Sequence, residues 1–191
     1  MARNAIGLDI GSSTVKFVEV SRKGKQVTVT NYGMLPNTPK TISRGRVQNA
    51  PEVGNLLQSL VRRYELKSKN VVLGLNSPEI NVRLKKLPKM SKEELEQALE
   101  FELEELAGFK FKSPDDVAFS YDYNRQDETD LEILFVACPR GLLTPYIDVC
   151  RASGLELSVI DLQALTWPGV FTEIQQACFV DIGFEQTTIY V

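Results

Sequence analysis

The strongest constraint on this 191-residue chain is a phrase that it carries twice. Residues 5–20 read AIGLDIGSSTVKFVEV, and residues 178–191 read CFVDIGFEQTTIYV. Each copy runs an apolar stretch, then Asp-Ile-Gly, then hydroxyl residues, then a second apolar stretch. Two apolar runs around a tight glycine bend are predicted to form a β-hairpin. Glycine lets such a bend approach a phosphate and take a positive φ. Successive backbone N–H groups then make an anion nest, and Ser/Thr hydroxyls add donors. One bend of this kind is an ordinary hairpin whose Asp caps its own turn. Two copies, each behind an apolar strand and ahead of hydroxyls, favour two facing halves of one nucleotide-phosphate site. The candidate residues are Asp9, Gly11, Ser12, Ser13, Thr14 and Lys16 in the first half, and Asp181, Gly183, Thr187 and Thr188 in the second, whose loop reads slightly longer before its hydroxyls. Lys16 meets phosphate charge. Asp9 and Asp181 suit a Mg²⁺ held through water, because this ion gives up its waters reluctantly.

Composition narrows the chemistry. The chain has no histidine, which removes the usual general base, the usual zinc ligand and Ser-His or Cys-His catalysis. No nucleophile stands beside an activating base, so no catalytic residue is assigned. Cys138, Cys150 and Cys178 are odd in number, widely spaced and set among apolar residues; they read as buried free thiols. No apolar run reaches the length of a membrane span, and the N-terminus lacks the apolar core of a signal peptide. A cytoplasmic location is therefore expected, with any membrane contact made through a partner. Charge is unevenly spread: residues 1–90 hold 16 Lys/Arg against 5 Asp/Glu, and residues 91–191 hold 6 against 20. We read this as two domains whose opposite faces attract. The basic residues are scattered rather than clustered with aromatics, so nucleic-acid binding is not expected.

In chain order, residues 27–32 continue the first hairpin as a third strand, and residues 34–48 read as a loop. Asn49 starts a helix with Glu52 three residues on. Val53, Leu56, Leu57, Leu60, Val61 and Tyr64 mark its apolar face. Residues 71–75, VVLGL, suit a strand buried on both faces. After Asn76-Ser77-Pro78 a second unit begins. Residues 80–87 alternate as a half-buried strand. Ser91 and Glu94 form a capping box for a helix that carries seven glutamates and ends at Gly108. The later glutamates are expected to answer the basic strand Arg83-Leu84-Lys85-Lys86. Residues 117–123 and 131–137 make a hairpin, and residues 139–153 a helix with Leu142, Leu143, Tyr146, Ile147 and Cys150 inside. Residues 155–160 return as a strand. Asp161 is expected to cap a helix reaching Phe171, which Pro168-Gly169 should kink or split.

These segments carry a resemblance. GLDIGSSTVKFVEV at 7–20, LKKLPKMSKEELEQALEF at 84–101, LELSVIDLQAL at 155–165 and FVDIGFEQTTIYV at 179–191 resemble the PilM family of bacterial type IV pilus assembly. That family lies in the actin-like ATPase superfamily that includes FtsA. The resemblance implies an α/β fold of the RNase H-like, actin-like type, with an inserted small α+β domain. It places subdomain 1A at residues 1–76 plus 155–176, a 1C-like insertion at 79–153, and the start of an incomplete subdomain 2A at 177–191. It implies a cytoplasmic scaffold, peripheral to the inner membrane, in a groove of which the N-terminal tail of a PilN-like membrane protein is held, with other pilus platform proteins as further partners. It implies ATP and Mg²⁺ as ligands of a complete two-half protein, of which this chain resembles the N-terminal half, with at most weak ATPase activity. A second class stays open: an actin-like Mg-ATP-binding protein or ATPase of cell division, secretion or small-molecule phosphorylation.

Overall fold

The computed structural model describes residues 3–170 and 177–190. Along the chain run β1 (Arg3–Ile10), β2 (Thr14–Lys23), β3 (Gln26–Pro36), β4 (Ile42–Ser43), β5 (Arg46–Val47), α1 (Ala50–Arg63) and β6 (Asn70–Leu75). There follow β7 (Asn81–Pro88), α2 (Lys92–Phe101), α3 (Leu103–Ala107), a 3-10 turn (Pro114–Asp116), β8 (Val117–Gln126), β9 (Asp130–Pro139) and α4 (Arg140–Ala152). The chain then forms β10 (Glu156–Leu162), α5 (Gln163–Val170), β11 (Phe179–Ile182) and β12 (Thr187–Tyr190). Two compact units result: Met1–Ser77 with Pro145–Val191, and Pro78–Thr144.

The first unit is built on a five-stranded sheet in the order β10-β6-β1-β2-β3. β1, β2 and β3 pair antiparallel, while β6 and β10 run parallel to β1. Alternation puts Ile6, Leu8 and Ile10 of β1 on the buried side, with Val15 and Phe17 of β2 and Val71, Leu73 and Leu75 of β6. A parallel pair needs a crossover, and α1 supplies it, burying Val53, Leu57 and Leu60. Its N-cap is Asn49, which accepts the Glu52 N–H at 3.2 Å and returns a bond to the Glu52 carboxylate at 3.0 Å. The loop after α1 is fastened by Glu19, which is 4% exposed and accepts the Lys67 and Ser68 N–H groups at 2.9 and 2.7 Å. The β2–β3 turn ends in Gly24, at φ +62 with open space around it.

The second unit is a three-stranded antiparallel sheet in the order β7-β9-β8. Central β9 buries Leu131, Ile133, Phe135 and Ala137, and α2 and α3 cover them with Leu95, Leu99, Leu103 and Leu106. Ser91 and Glu94 close the expected capping box at 3.2 and 2.8 Å, and Gly108 ends the helical stretch at φ +70. The Glu102 carboxylate meets Lys85 at 2.6 Å and holds that ammonium above its ordinary range.

Several expectations are corrected. Residues 34–48 are not all loop: β3 continues to Pro36 because Lys16 and Thr14 of β2 still pair with Met34 and Pro36, and β4 and β5 form a small ribbon. The acidic helix is two helices that meet at Glu102. In β6, Val71, Leu73 and Leu75 are buried while Val72 and Gly74 are half-buried, so one face only is fully covered. In α4, Leu142, Tyr146, Val149 and Cys150 share the buried face, and Ile147 points out at 37% exposure. Asp161 and Leu162 belong to β10, where Asp161 accepts the Leu162 N–H at 2.8 Å. α5 runs through Pro168-Gly169 to Val170; so short a helix has few i→i−4 bonds for a proline to remove. Cys138 and Cys150 are buried but Cys178 is exposed, since it precedes a strand that little covers. Phe171, residues 171–176 of the segment assigned to 1A, and Val191 lie outside the described residues.

Candidate functional site

The two Asp-Ile-Gly bends fold alike. In the first, the Gly11 N–H donates to the Thr14 carbonyl at 3.0 Å; in the second, the Gly183 N–H donates to the Gln186 carbonyl at 2.9 Å. The strand registers agree, with Ile10 opposite Val15 and Ile182 opposite Thr187. The loops are therefore equal in length, not longer in the second copy. A Cβ at Gly11 would stand 3.0 Å from the Thr14 carbonyl oxygen, and one at Gly183 would stand 2.9 Å from that of Gln186. Close approach is what demands glycine here; neither bend glycine takes the positive φ expected for it.

Eight of the ten sequence-nominated residues line one cavity of about 210 Å³: Asp9, Gly11, Ser12, Ser13, Thr14 and Lys16, with Asp181 and Gly183. Thr187 and Thr188 do not. Both lie in β12, and Thr188 Oγ1 accepts the Asn76 side-chain amide at 2.9 Å. The equal loops explain the difference: the first places three hydroxyls in the bend, whereas the second fills it with Phe184, Glu185 and Gln186.

The remaining walls, and the residues that brace the first bend, have no counterpart in the sequence reading. Asn37, largely buried, donates its amide to the Gly11 carbonyl at 2.8 Å, and its own N–H goes to the Ser13 carbonyl at 2.8 Å. Thr41, 1% exposed, holds the Asn37 side chain at 2.7 Å. Gly45 takes φ +73, and a Cβ there would lie 2.1 Å from the Asn76 carbonyl oxygen, so no side chain fits. The buried Tyr146 hydroxyl donates to the Gly45 carbonyl at 3.0 Å. Burial, with the Asp9 charge behind it, raises the Tyr146 phenol and keeps it a neutral donor. Arg44 gives its N–H to the Glu185 carboxylate at 2.9 Å. The only sequence signal for this set is the Pro-flanked Asn37-Thr38 turn, which Asn at such a site favours.

The electrostatics select among ligands. Asp9, Asp181 and Glu185 line the cavity against Lys16 and Arg44, and Lys16 already pairs with Asp9 at 3.0 Å. A bare polyanion meets a net negative wall; an anion that brings a divalent cation does not. Among the described residues no three His, Cys, Asp or Glu side chains converge as a ready metal cage. Asp9 and Asp181, both on the cavity wall, are the carboxylates that would face a Mg²⁺ held through water. The volume is below the roughly 300–1,000 Å³ typical of small-molecule pockets.

This arrangement can be compared with known proteins. A family model, type IV pilus assembly protein PilM, matches residues 7–191. The chain belongs to the PilM family. The chain also matches a solved PilM–PilN type IV pilus biogenesis complex with a TM-score of 0.80 and 23% identity over 97% of its residues, and it spans 56% of that protein's length. A more distant match is the cytoplasmic domain of EpsL, an inner-membrane component of the type II secretion system of Vibrio cholerae. There the TM-score is 0.53 and identity 13%, over 98% of this chain and 71% of that one. These likenesses show a shared fold. The α/β class with a small α+β unit, expected from the sequence, is the fold of this PilM family member. Among the described residues no helix is long and apolar enough to cross a membrane.

Proposed function

We propose that this protein acts in type IV pilus assembly as a cytoplasmic scaffold beneath the inner membrane, where it holds the cytoplasmic N-terminal tail of a PilN-like partner. The observation that carries the reading is the match to the PilM family over residues 7–191, supported by the fold shared with the PilM–PilN complex. The direct test is titration of the chain with a synthetic peptide of a PilN cytoplasmic tail. Saturable binding is the expected outcome. A flat titration with a folded chain removes the proposal.

We further propose that the cavity between the Gly11 and Gly183 bends is the phosphate end of an ATP site. Asp9 and Asp181 face a water-held Mg²⁺, and Gly11, Ser12, Ser13, Thr14, Lys16 and Gly183 face the phosphates. Thr187 and Thr188 act from the strand behind the bend. A cavity this size supports weak binding by this chain, with tight binding reserved for a protein that carries a second lobe over it. MgATP is expected to raise the melting temperature, an effect that Gly11→Val abolishes. The second reading is an actin-like ATPase or phosphotransferase, favoured by two carboxylates on one cavity. It requires phosphate release from ATP that Asp9→Asn abolishes while MgATP binding survives.

A further inference from the structure

In the second unit, a groove of about 800 Å³ opens between α2 and the free edge of β8. From α2 come Gln97, Glu100 and Phe101, spaced as one helical stripe; from β8 come Val117, Ala118 and Phe119. Phe101 is 92% exposed. A large aromatic held almost wholly in water beside an apolar groove is an unfilled contact rather than ordinary surface. Phe119 is itself fixed, stacked on Phe135 with ring centroids 5.5 Å apart.

Charge says what fills the groove. Glu100, near the end of the glutamate-rich α2, and Asp115, in the 3-10 turn, stand on its walls. The cation of the lining, Arg140, donates Nε to the Asp115 carbonyl at 2.7 Å and Nη2 to the Val117 carbonyl at 3.0 Å and keeps its charge, so two carboxylates against one guanidinium leave the lining net negative. A negative rim over an apolar floor repels acidic peptides, nucleic acid and anionic lipid, and attracts a basic segment with apolar side chains. An edge strand also turns alternate N–H and C=O groups outward, ready for another strand.

We infer that this groove docks an extended basic segment of a partner protein, laid along the β8 edge. Its apolar side chains cover Phe101 and Phe119, and its Lys or Arg side chains meet Glu100 and Asp115. The inference rests neither on the phosphate cavity nor on the identity of the partner proposed above.

The test uses the whole chain and two short synthetic peptides. One alternates lysine with leucine and phenylalanine; the other has glutamate at every lysine position. The basic peptide should saturate, weaken in high salt, and shift the amide resonances of residues 117–119 and of α2. Phe101→Ser and Glu100→Lys, both at exposed positions, should each weaken it about tenfold, equal to about 1.4 kcal/mol. Equal binding of the acidic peptide, unchanged affinity in both variants, or shifts confined to other strands would overturn the docking site. Self-association of the free chain that Glu100→Lys abolishes would overturn it too, by assigning the groove to a second copy.

Discussion

The β1–β2 hairpin stands in the middle of a sheet, with β6 on one side and β3 on the other, and its inward residues Ile6, Leu8, Val15 and Phe17 are all buried. The β11–β12 hairpin is a two-stranded ribbon whose Val180, Ile182 and Ile189 are 52%, 80% and 62% exposed. Yet the two bends match within a tenth of an ångström in their closing hydrogen bonds. Turn geometry is set locally, by glycine and strand register. Stability is set by what covers the strands, and a lone ribbon has little of its own. The first bend is braced by buried Asn37 and Thr41; the second is tied by Glu185 to Arg44 and by Thr188 to Asn76.

The sharpest way to break this contrast is to truncate matched side chains. Leu8→Ala, in the first hairpin, should lower unfolding free energy by about 2–5 kcal/mol in urea titrations, and Ile189→Ala, in the second, should change it by less than about 0.5. Equal losses would mean that the ribbon shares the core after all. Next in size is Asn37→Ala, which strips the Gly11 carbonyl of its partner and should cost about 1–3 kcal/mol. Asn76→Ala, its counterpart for the second bend, should cost no more than about 1.5 kcal/mol in the same assay.

Alkali sharpens the comparison. Burial pushes the Cys138 and Cys150 thiols up from 9.0 to about 11. Thiols that ionise later in the folded chain stabilise it fully below pH 9, and that contribution disappears as pH rises toward 11. Urea midpoints should therefore hold steady up to pH 9 and fall above it. At neutral pH a thiol reagent should modify Cys178, at the foot of the ribbon, long before the buried pair. A small effect is also expected of Lys16→Met. The Lys16–Asp9 pair is 56% and 28% exposed, so its loss should change stability by no more than about 1 kcal/mol, read from the same midpoints.

The parts of the fold legible in the sequence were those written in short-range code. Apolar runs about a glycine bend marked β1 and β2, alternation marked β7, and Asn49 and Ser91 marked their helices correctly. What could not be read there depends on neighbours distant in sequence. Ile147 and Val149 are equally apolar, and only the packing of α4 decides which is covered. In the candidate site, both bends could be read because glycine is required by their own geometry. Asn37 could not, because its partners are 26 positions away at Gly11 and in the Ser13 carbonyl. The two threonines after the second bend were nominated by the repeated motif, and strand register keeps them off the cavity wall.

The open turn at Gly24 lies at the far end of β2 from Thr14, a ten-residue strand and thus about 30 Å from the first bend. With nothing around its left-handed glycine, that tip is a natural place to splice an epitope or a fluorophore. Such a handle would let the protein be immobilised or watched in a larger assembly while the cavity at the Gly11 and Gly183 bends stays untouched.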